Sequence, residues 1–188
     1  MQIVFAGKAH PADETGKHHL QQVYRRAIDQ KFAGRIAFVD DYDLHVAHFL
    51  VQGCDVWMNN PRKPLEASGT SGMKASINGV PHMSIGDGWW AEGYTGSNGW
   101  LIEGRTESTD HDEVDAADAE ALYRILEEEV VPAFYDRDAQ GIPTRWLAVV
   151  RQAIMSVAPT FSARRMVKQY ADELYAPAIQ RSVAQPQR

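Results

Sequence analysis

A segment rich in glycine, serine and threonine, followed by a lysine, is the part of this sequence best suited to chemistry. The run Gly69-Thr-Ser-Gly72 offers unencumbered backbone N–H groups and two hydroxyls where a helix is predicted to begin. Because the first N–H groups of a helix lack intrahelical partners and the helix dipole favours negative charge, such a start is typical of an anion site. Lys74 follows Thr70 by four residues and therefore lies on the same helical face. The sequence predicts a phosphate-bearing cofactor or substrate here.

Two charged side chains near this segment, Lys74 and Glu66, are placed to act on such a ligand. A lysine removed from water has a lowered pKa and can form a Schiff base with an aldehyde cofactor. Glu66 lies in the loop before the predicted helix, where its carboxylate can accept hydrogen bonds from sugar hydroxyls. Taken alone, Lys74 fits a surface lysine as well, and Glu66 fits a solvated carboxylate or a capping partner.

The elements that must position this segment are predicted from apolar runs and helical stripes. Short apolar runs predict strands, and apolar residues spaced three and four apart predict helices between them. The alternation predicts an α/β fold, a doubly wound parallel sheet with helices on both faces and right-handed crossovers. The strands are predicted at residues 2–6, 35–39, 55–58, 82–85 and 100–102, and the helix that carries Lys74 at 68–77.

Two loops are expected at the ligand-binding edge of this sheet, because ligands bind beyond the carboxyl ends of parallel strands. The third strand runs into loop 59–68, and the fourth runs into the glycine-rich loop 87–99. The second loop contains Trp89 and Trp90, for which two interpretations stay open: packing against the lysine helix, or stacking on a sugar.

The C-terminal part of the sequence is predicted to be helical only. Amphipathic patterns cover residues 116–131, 144–157 and 162–175. We expect residues 1–178 to form a single α/β domain with appended C-terminal helices, and residues 179–188 to form a frayed tail.

Composition predicts a cytoplasmic globular protein. The net charge of -6 argues against a nucleic-acid binder. The sequence has no run of 18 apolar residues, so no membrane span is predicted. The single cysteine, Cys54, fits a reducing compartment. His45 and His48 lie three residues apart without a Cys, Asp or Glu cluster at ligand spacing, so no metal site is predicted.

The segment Glu66-Ala-Ser-Gly-Thr-Ser-Gly-Met-Lys74, followed by Asn78-Gly79, resembles the cofactor-lysine motif of the alpha-glucan phosphorylases. This family includes glycogen, starch and maltodextrin phosphorylases. Loop 59–66 and the stretch Asp87-Gly-Trp-Trp-Ala-Glu-Gly-Tyr94 resemble its shorter bacterial and archaeal branch. Supporting similarity covers most of the chain, at Phe5-Ala-Gly-Lys-Ala-His-Pro11, at Asp41-Tyr42 and at residues 161–170.

The resemblance implies pyridoxal 5′-phosphate as the cofactor, held covalently by a lysine. In this family the cofactor acts through its phosphate, which relays a proton next to inorganic phosphate while the glycosidic bond breaks. The catalytic residues implied are Lys74 and Glu66. The residues implied to bind are Lys74, Thr70, Ser71, Gly72 and Tyr42 for the cofactor and Glu66, Ser68 and Gly69 for the glucosyl unit.

The resemblance further implies phosphorolysis of alpha-1,4-glucan by inorganic phosphate to glucose 1-phosphate, in enzymes that are usually homo-oligomers. Family members are several times this length and consist of two lobes with the active site between them. We therefore expect this chain to be part of the second lobe, and to be inactive without the missing N-terminal lobe. Two alternatives stay open: a lobe of a retaining glycosyltransferase that uses a sugar nucleotide, and a non-catalytic binding or assembly fragment.

Overall fold

The computed structural model describes residues 1–104 and 108–184 of the chain. It has an α/β fold of short parallel strands and intervening helices, followed by C-terminal helices, which confirms the predicted fold class. The chain divides into two compact units, of which the first ends at Leu50 and the second begins at Val51. None of the helices in the described ranges is both long enough and apolar enough to cross a membrane.

The first unit contains a two-stranded parallel sheet with one long helix between its strands. Ile3 lies opposite Ile36, and the pairing continues to Ala6 and Val39. Asp13 caps the long helix, because its carboxylate accepts a hydrogen bond of 2.8 Å from the backbone N–H of Gly16. The elements are β1 (Ile3–Ala6), α1 (Glu14–Ile28), a 3₁₀ turn (Gln30–Phe32), β2 (Ile36–Val39) and the start of α2 (Leu44–Gly53).

The second unit contains a three-stranded parallel sheet whose middle strand is fully buried. Its strands are β3 (Trp57–Asn59), β4 (His82–Ile85) and β5 (Gly99–Ile102), in that spatial order. Because all three run parallel, the segments that follow Asn59, Ile85 and Ile102 leave the sheet at one edge. The predicted placement of the two loops at a common edge is confirmed.

Among the described residues the strands pair as two small parallel sheets, β1 with β2 and β4 with β3 and β5. The alternation of strands and helices specifies parallel pairing, but it does not specify which strands are neighbours. Helix α9 extends through Ala184, and the predicted tail over residues 179–188 stays a prediction. Residues 185–188 lie outside the described residues, and the single-domain boundary stays a prediction.

The helices of the second unit cover the sheet and then continue beyond it. One of them, the short α4, falls inside the glycine-rich loop and was not predicted. They are α3 (Thr70–Ile77), α4 (Trp90–Gly93), α5 (His111–Ile125), a π-helical turn (Leu126–Val130), α6 (Val131–Tyr135), α7 (Thr144–Thr160), α8 (Ala163–Tyr170), a second π-helical turn (Ala171–Tyr175) and α9 (Ala176–Ala184).

Helix α3 packs against α7 and against strands β3 and β4 of the sheet. Ala75 of α3 and Ala153 of α7 are completely buried, so small side chains let α3 and its neighbours approach closely. Trp100 of β5 stacks on Trp146 of α7 with ring centroids 5.8 Å apart, and both tryptophans lie in the core. The inner face of α3 is therefore fixed by packing.

Asn98 fastens the glycine-rich loop to α7. Its side-chain amide is completely buried and donates to the Gly93 carbonyl at 2.8 Å and to the Ser156 hydroxyl at 2.9 Å. Its carbonyl oxygen accepts from the Thr95 N–H at 3.0 Å. Two of these bonds join residues within the loop between β4 and β5, and the third joins the loop to α7. A single side chain therefore determines the path of the loop.

We expect Asn98→Ala to lower the free energy of unfolding by about 2 to 4 kcal/mol, because it leaves buried partners unsatisfied. Urea denaturation measures this loss. The exposed neighbour Ser97 provides the control, and Ser97→Ala should change the free energy of unfolding by less than about 0.5 kcal/mol. Equal effects of the two substitutions would contradict the anchoring role of Asn98.

Candidate functional site

The start of α3 has the features of an anion-binding helix N-terminus. Gly69 is the N-cap residue and takes a left-handed conformation (φ +81°), in which a residue with a side chain would be strained. It provides no side-chain cap, and the N–H groups of Thr70 and Ser71 precede the first intrahelical bonds. Thr70 is exposed and Ser71 is half-buried, so both remain accessible to a ligand.

Lys74 lies one turn further along the exposed face of α3. The neighbouring residues Ala75 and Ser76 are buried, whereas Lys74 and Thr70 are exposed on the opposite face. The shared face predicted for Lys74 and Thr70 is confirmed. The desolvation expected for Lys74 is not provided by the described residues, because its side chain is exposed to solvent.

Glu66 is held beside this helix start by two polar contacts. Its backbone N–H donates to the Asp87 carboxylate at 2.9 Å, and its own carboxylate accepts from the side-chain amide of Asn59 at 3.3 Å. Asn59 ends β3 and Asp87 follows β4, so the two strand ends position Glu66 from two sides. Asn59 and Asp87 were not singled out from the sequence, although the Asp87-Gly88 turn after a strand was a usable signal.

Ser68 and Gly69 complete the group of residues predicted to contact a sugar. The Ser68 carbonyl accepts from the Trp89 backbone N–H at 2.8 Å. The carboxylate carbon of Glu66 would lie 3.6 Å from a Cβ placed on Gly69. The structure therefore brings Glu66, Ser68 and Gly69 together at the start of α3, beside Thr70 and Ser71.

Gly72 lies on the inner side of α3 and not on the open side. It is buried, and a Cβ at this position would lie 2.6 Å from the His82 ring and 2.8 Å from the Trp89 indole nitrogen. Its N–H donates to the Gly69 carbonyl at 3.2 Å. A glycine is needed at this position because α3 crosses these two rings without space for a side chain.

Trp89 and Trp90 are buried, which decides between the two interpretations left open by the sequence. Trp89 is 4% exposed and Trp90 is 1% exposed. Trp89 lies against α3 at Gly72, and the Trp90 indole donates to the Trp100 carbonyl at 3.1 Å. Packing against the lysine helix is confirmed, and neither ring offers a free face to a sugar.

His82 is a buried, neutral histidine in the middle strand of the sheet. Its Nδ1 lies 3.1 Å from the Trp57 carbonyl oxygen, which can only accept, so Nδ1 carries the proton. Burial lowers the pKa of His82 to about 4 from an ordinary value of 6.5, and the hydrogen bond to Trp57 offsets this only in part. The sequence indicated only the strand, and gave no signal that this histidine lies beneath α3.

Tyr42, predicted to line the cofactor pocket, belongs to the first unit. It is half-buried and follows Asp41, whose backbone is left-handed (φ +51°). The Lys8 ammonium lies 2.8 Å from the Asp41 carboxylate and lowers the pKa of that carboxyl. The proposed contact between Tyr42 and the cofactor stays a prediction.

A cavity of about 460 Å³ opens at the edge of the three-stranded sheet, but it does not contain the predicted site. It is lined by Ile85, Gly86, Ile102, Glu103 and Lys63, among others. None of the residues predicted to bind cofactor or glucosyl unit lines it. The candidate site is instead the open surface at the start of α3.

The depressed pKa of His82 predicts a pH-dependent stability. Well above pH 6.5 the ring is neutral in both the folded and the unfolded state, and His82 has no effect on the pH dependence of stability. As the pH falls from 6.5 towards 4, His82 takes up a proton in the unfolded chain but stays neutral in the folded chain. The free energy of unfolding therefore decreases by about 3 kcal/mol in total.

Urea denaturation at a series of pH values between 7.5 and 4 measures this decrease. The variant His82→Gln does not titrate, so the difference between wild type and variant isolates the contribution of His82. A difference that stays constant over this range would contradict the buried neutral state.

Comparison with known proteins identifies the family. The carbohydrate phosphorylase family model matches residues 1–96, which include Tyr42, Lys74 and Asp87. The chain is 54% identical over 176 residues to a glycogen phosphorylase from Aquifex aeolicus, covering 94% of this chain and 25% of that protein. It is 46% identical over 181 residues to a maltodextrin phosphorylase from Thermococcus litoralis, covering 96% and 21%.

A glycogen phosphorylase from Mycobacterium tuberculosis (strain H37Rv) is 48% identical over 180 residues, covering 96% of this chain and 21% of that protein. The chain thus spans about a quarter or less of the length of these relatives. The family match covers the glycine-rich helix start, the lysine and the strand ends that surround them, and the chain belongs to the carbohydrate phosphorylase family.

Proposed function

We propose that this chain is the cofactor-bearing part of an alpha-glucan phosphorylase, which phosphorolyses alpha-1,4-glucan to glucose 1-phosphate with pyridoxal 5′-phosphate. The observation that carries the proposal is the open face of α3. This face presents uncapped N–H groups at Thr70 and Ser71, with Lys74 one turn further. An anion site and a primary amine at this spacing suit a cofactor that has both a phosphate and an aldehyde.

The residues at the start of α3 fit this cofactor. The left-handed Gly69 leaves the helix end without a side-chain cap, so a phosphate can approach the first N–H groups. The hydroxyls of Thr70 and Ser71 add donors to the same site. Gly72 contributes from the inner side by allowing the helix to pack tightly, and not by touching the phosphate with its Cα. We thus assign Gly72 a supporting role in the cofactor site.

Each residue of the site has a distinct role in the proposed reaction. Lys74 holds the cofactor through Nζ, and Thr70 and Ser71 hold its phosphate. Glu66 accepts hydrogen bonds from the hydroxyls of the glucosyl unit, in an orientation set by Asn59 and Asp87. When bound, the cofactor supplies a phosphate group that exchanges a proton with inorganic phosphate. Positioning and charge stabilisation are thus the contributions of this chain.

The exposure of apolar groups supports a missing part that completes the site. In the first unit, Leu44, Phe49 and Ile28 are each at least 60% exposed, and α1 has no buried residue. Apolar exposure on this scale is typical of surfaces that another part of a protein covers. Lys74 is exposed too, so covering its face would supply the desolvation that its chemistry needs. Cys54 supports a reducing, cytoplasmic location.

A chimera provides the test of function, in which this chain replaces the matching segment of the Aquifex aeolicus glycogen phosphorylase. We expect the chimera to acquire a near-ultraviolet absorbance band after incubation with pyridoxal 5′-phosphate and gel filtration. Lys74→Ala should abolish the band because it removes the amine that holds the cofactor. The free energy of unfolding of the cofactor-free chain should change by less than about 0.5 kcal/mol, because this exposed helical position favours alanine.

Lys63, exposed in the preceding loop, provides the matched control, and Lys63→Ala should retain the band. A wild-type chimera that binds a sugar nucleotide but acquires no band would instead support the glycosyltransferase alternative. A chimera that binds the cofactor but performs no phosphorolysis of maltodextrin would support a non-catalytic fragment.

A further inference from the structure

Two buried nitrogen atoms beneath α3 are not used by the proposed chemistry. Among the described residues, Nε2 of His82 and Nε1 of Trp89 have no hydrogen-bond partner. His82 is 1% exposed and Trp89 is 4% exposed, so bulk water does not reach them. Buried polar atoms are nearly always paired in folded proteins, and those two therefore require an explanation.

The two atoms converge on one point. A Cβ placed on Gly72 would lie 2.8 Å from Nε2 of His82 and 2.8 Å from Nε1 of Trp89, so the nitrogens are separated by no more than twice that distance. The two ring centroids are 5.2 Å apart, with planes inclined by 31°. This upper limit is compatible with one bridging water molecule, and a direct hydrogen bond requires the rings to reorient.

Their hydrogen-bonding characters are complementary. The Trp57 carbonyl fixes the proton of His82 on Nδ1, which leaves a lone pair on Nε2. The indole nitrogen of Trp89 can only donate. No charged residue is among the causes that shift the protonation of His82, so a charged group does not compete for this lone pair within the described residues.

We propose that Nε2 of His82 accepts a hydrogen bond from the indole N–H of Trp89, directly or through one buried water, and that this pair positions the first turn of α3. Trp89 also donates its backbone N–H to the Ser68 carbonyl, so the pair connects β4 to the segment from Ser68 to Gly72. His82 is thereby a positioning residue for the helix that carries Lys74. Its relevance to the cofactor rests on the proposed function, whereas the hydrogen bond does not.

A double-mutant cycle on the unfolding equilibrium of the cofactor-free chain tests the pair. His82→Leu and Trp89→Phe each leave the other partner buried and unpaired, whereas the double variant leaves neither. Each single substitution raises the unfolding equilibrium constant by a certain factor. If the two side chains form a hydrogen bond, the double variant should raise it by about tenfold less than the product of the two single factors. The bond from His82 to Trp57 is lost in every variant that carries His82→Leu, and it cancels in the cycle.

Trp90 provides a matched control, because its ring also contacts His82, with centroids 4.9 Å apart, but its indole N–H already donates to the Trp100 carbonyl. The cycle of His82→Leu with Trp90→Phe should be multiplicative within about threefold. Equal coupling in the two cycles would overturn the proposal, since ring packing alone would then explain both.

Nitrogen-15 NMR of the wild-type chain tests the same pair without any substitution. We expect the Nδ1–H tautomer for His82 and slow solvent exchange of the Trp89 indole proton. An Nε2–H tautomer, or an indole proton that exchanges as fast as in the unfolded chain, would overturn the proposal. If His82→Leu raises the rate of cofactor dissociation from the chimera about tenfold, the pair also positions the cofactor site. If the wild-type chimera fails to bind the cofactor, the proposed function is refuted, but the hydrogen bond is not.

Discussion

The close approach of α3 to the two rings beneath Gly72 is the constraint on which the site depends. Because Gly72 has no side chain, the first turn of α3 rests directly on His82 and Trp89. This contact sends the other face of the helix outward, where Thr70 and Lys74 are exposed. A methyl group at position 72 would push α3 away from the two rings. The N–H groups of its first turn and Lys74 would then move together, away from the position set by the sheet.

A second constraint is the common edge reached by the strands of the second unit. Asn59 ends β3 and Asp87 follows β4, and both hold Glu66 near the helix start. The carboxylate is thus oriented by groups from two strands. Helix α3 thus has a buried face and an exposed face that carries Lys74. In the function that we propose, the larger part of the relatives, which this chain does not span, completes the site.

Local sequence patterns predicted the helices and strands well. They did not predict which residues that are distant in sequence lie next to each other in the fold. The strand at residues 82–85 and the helix that carries Lys74 follow from patterns that are local in sequence. The separation into two sheets could not be predicted, because pairing depends on which strands meet in space. The role of His82 was missed for the same reason, since its partners at Trp57 and Gly72 are distant along the chain.

In the function that we propose, the amine of Lys74 holds an aldehyde cofactor whose phosphate binds at the start of α3. The most direct measurement is borohydride reduction of the chimera loaded with pyridoxal 5′-phosphate, followed by proteolysis and mass spectrometry. We expect one phosphopyridoxyl group, on the peptide that contains Lys74. A label distributed over other lysines of this chain, or located on Lys63 with Lys74 unmodified, would contradict it.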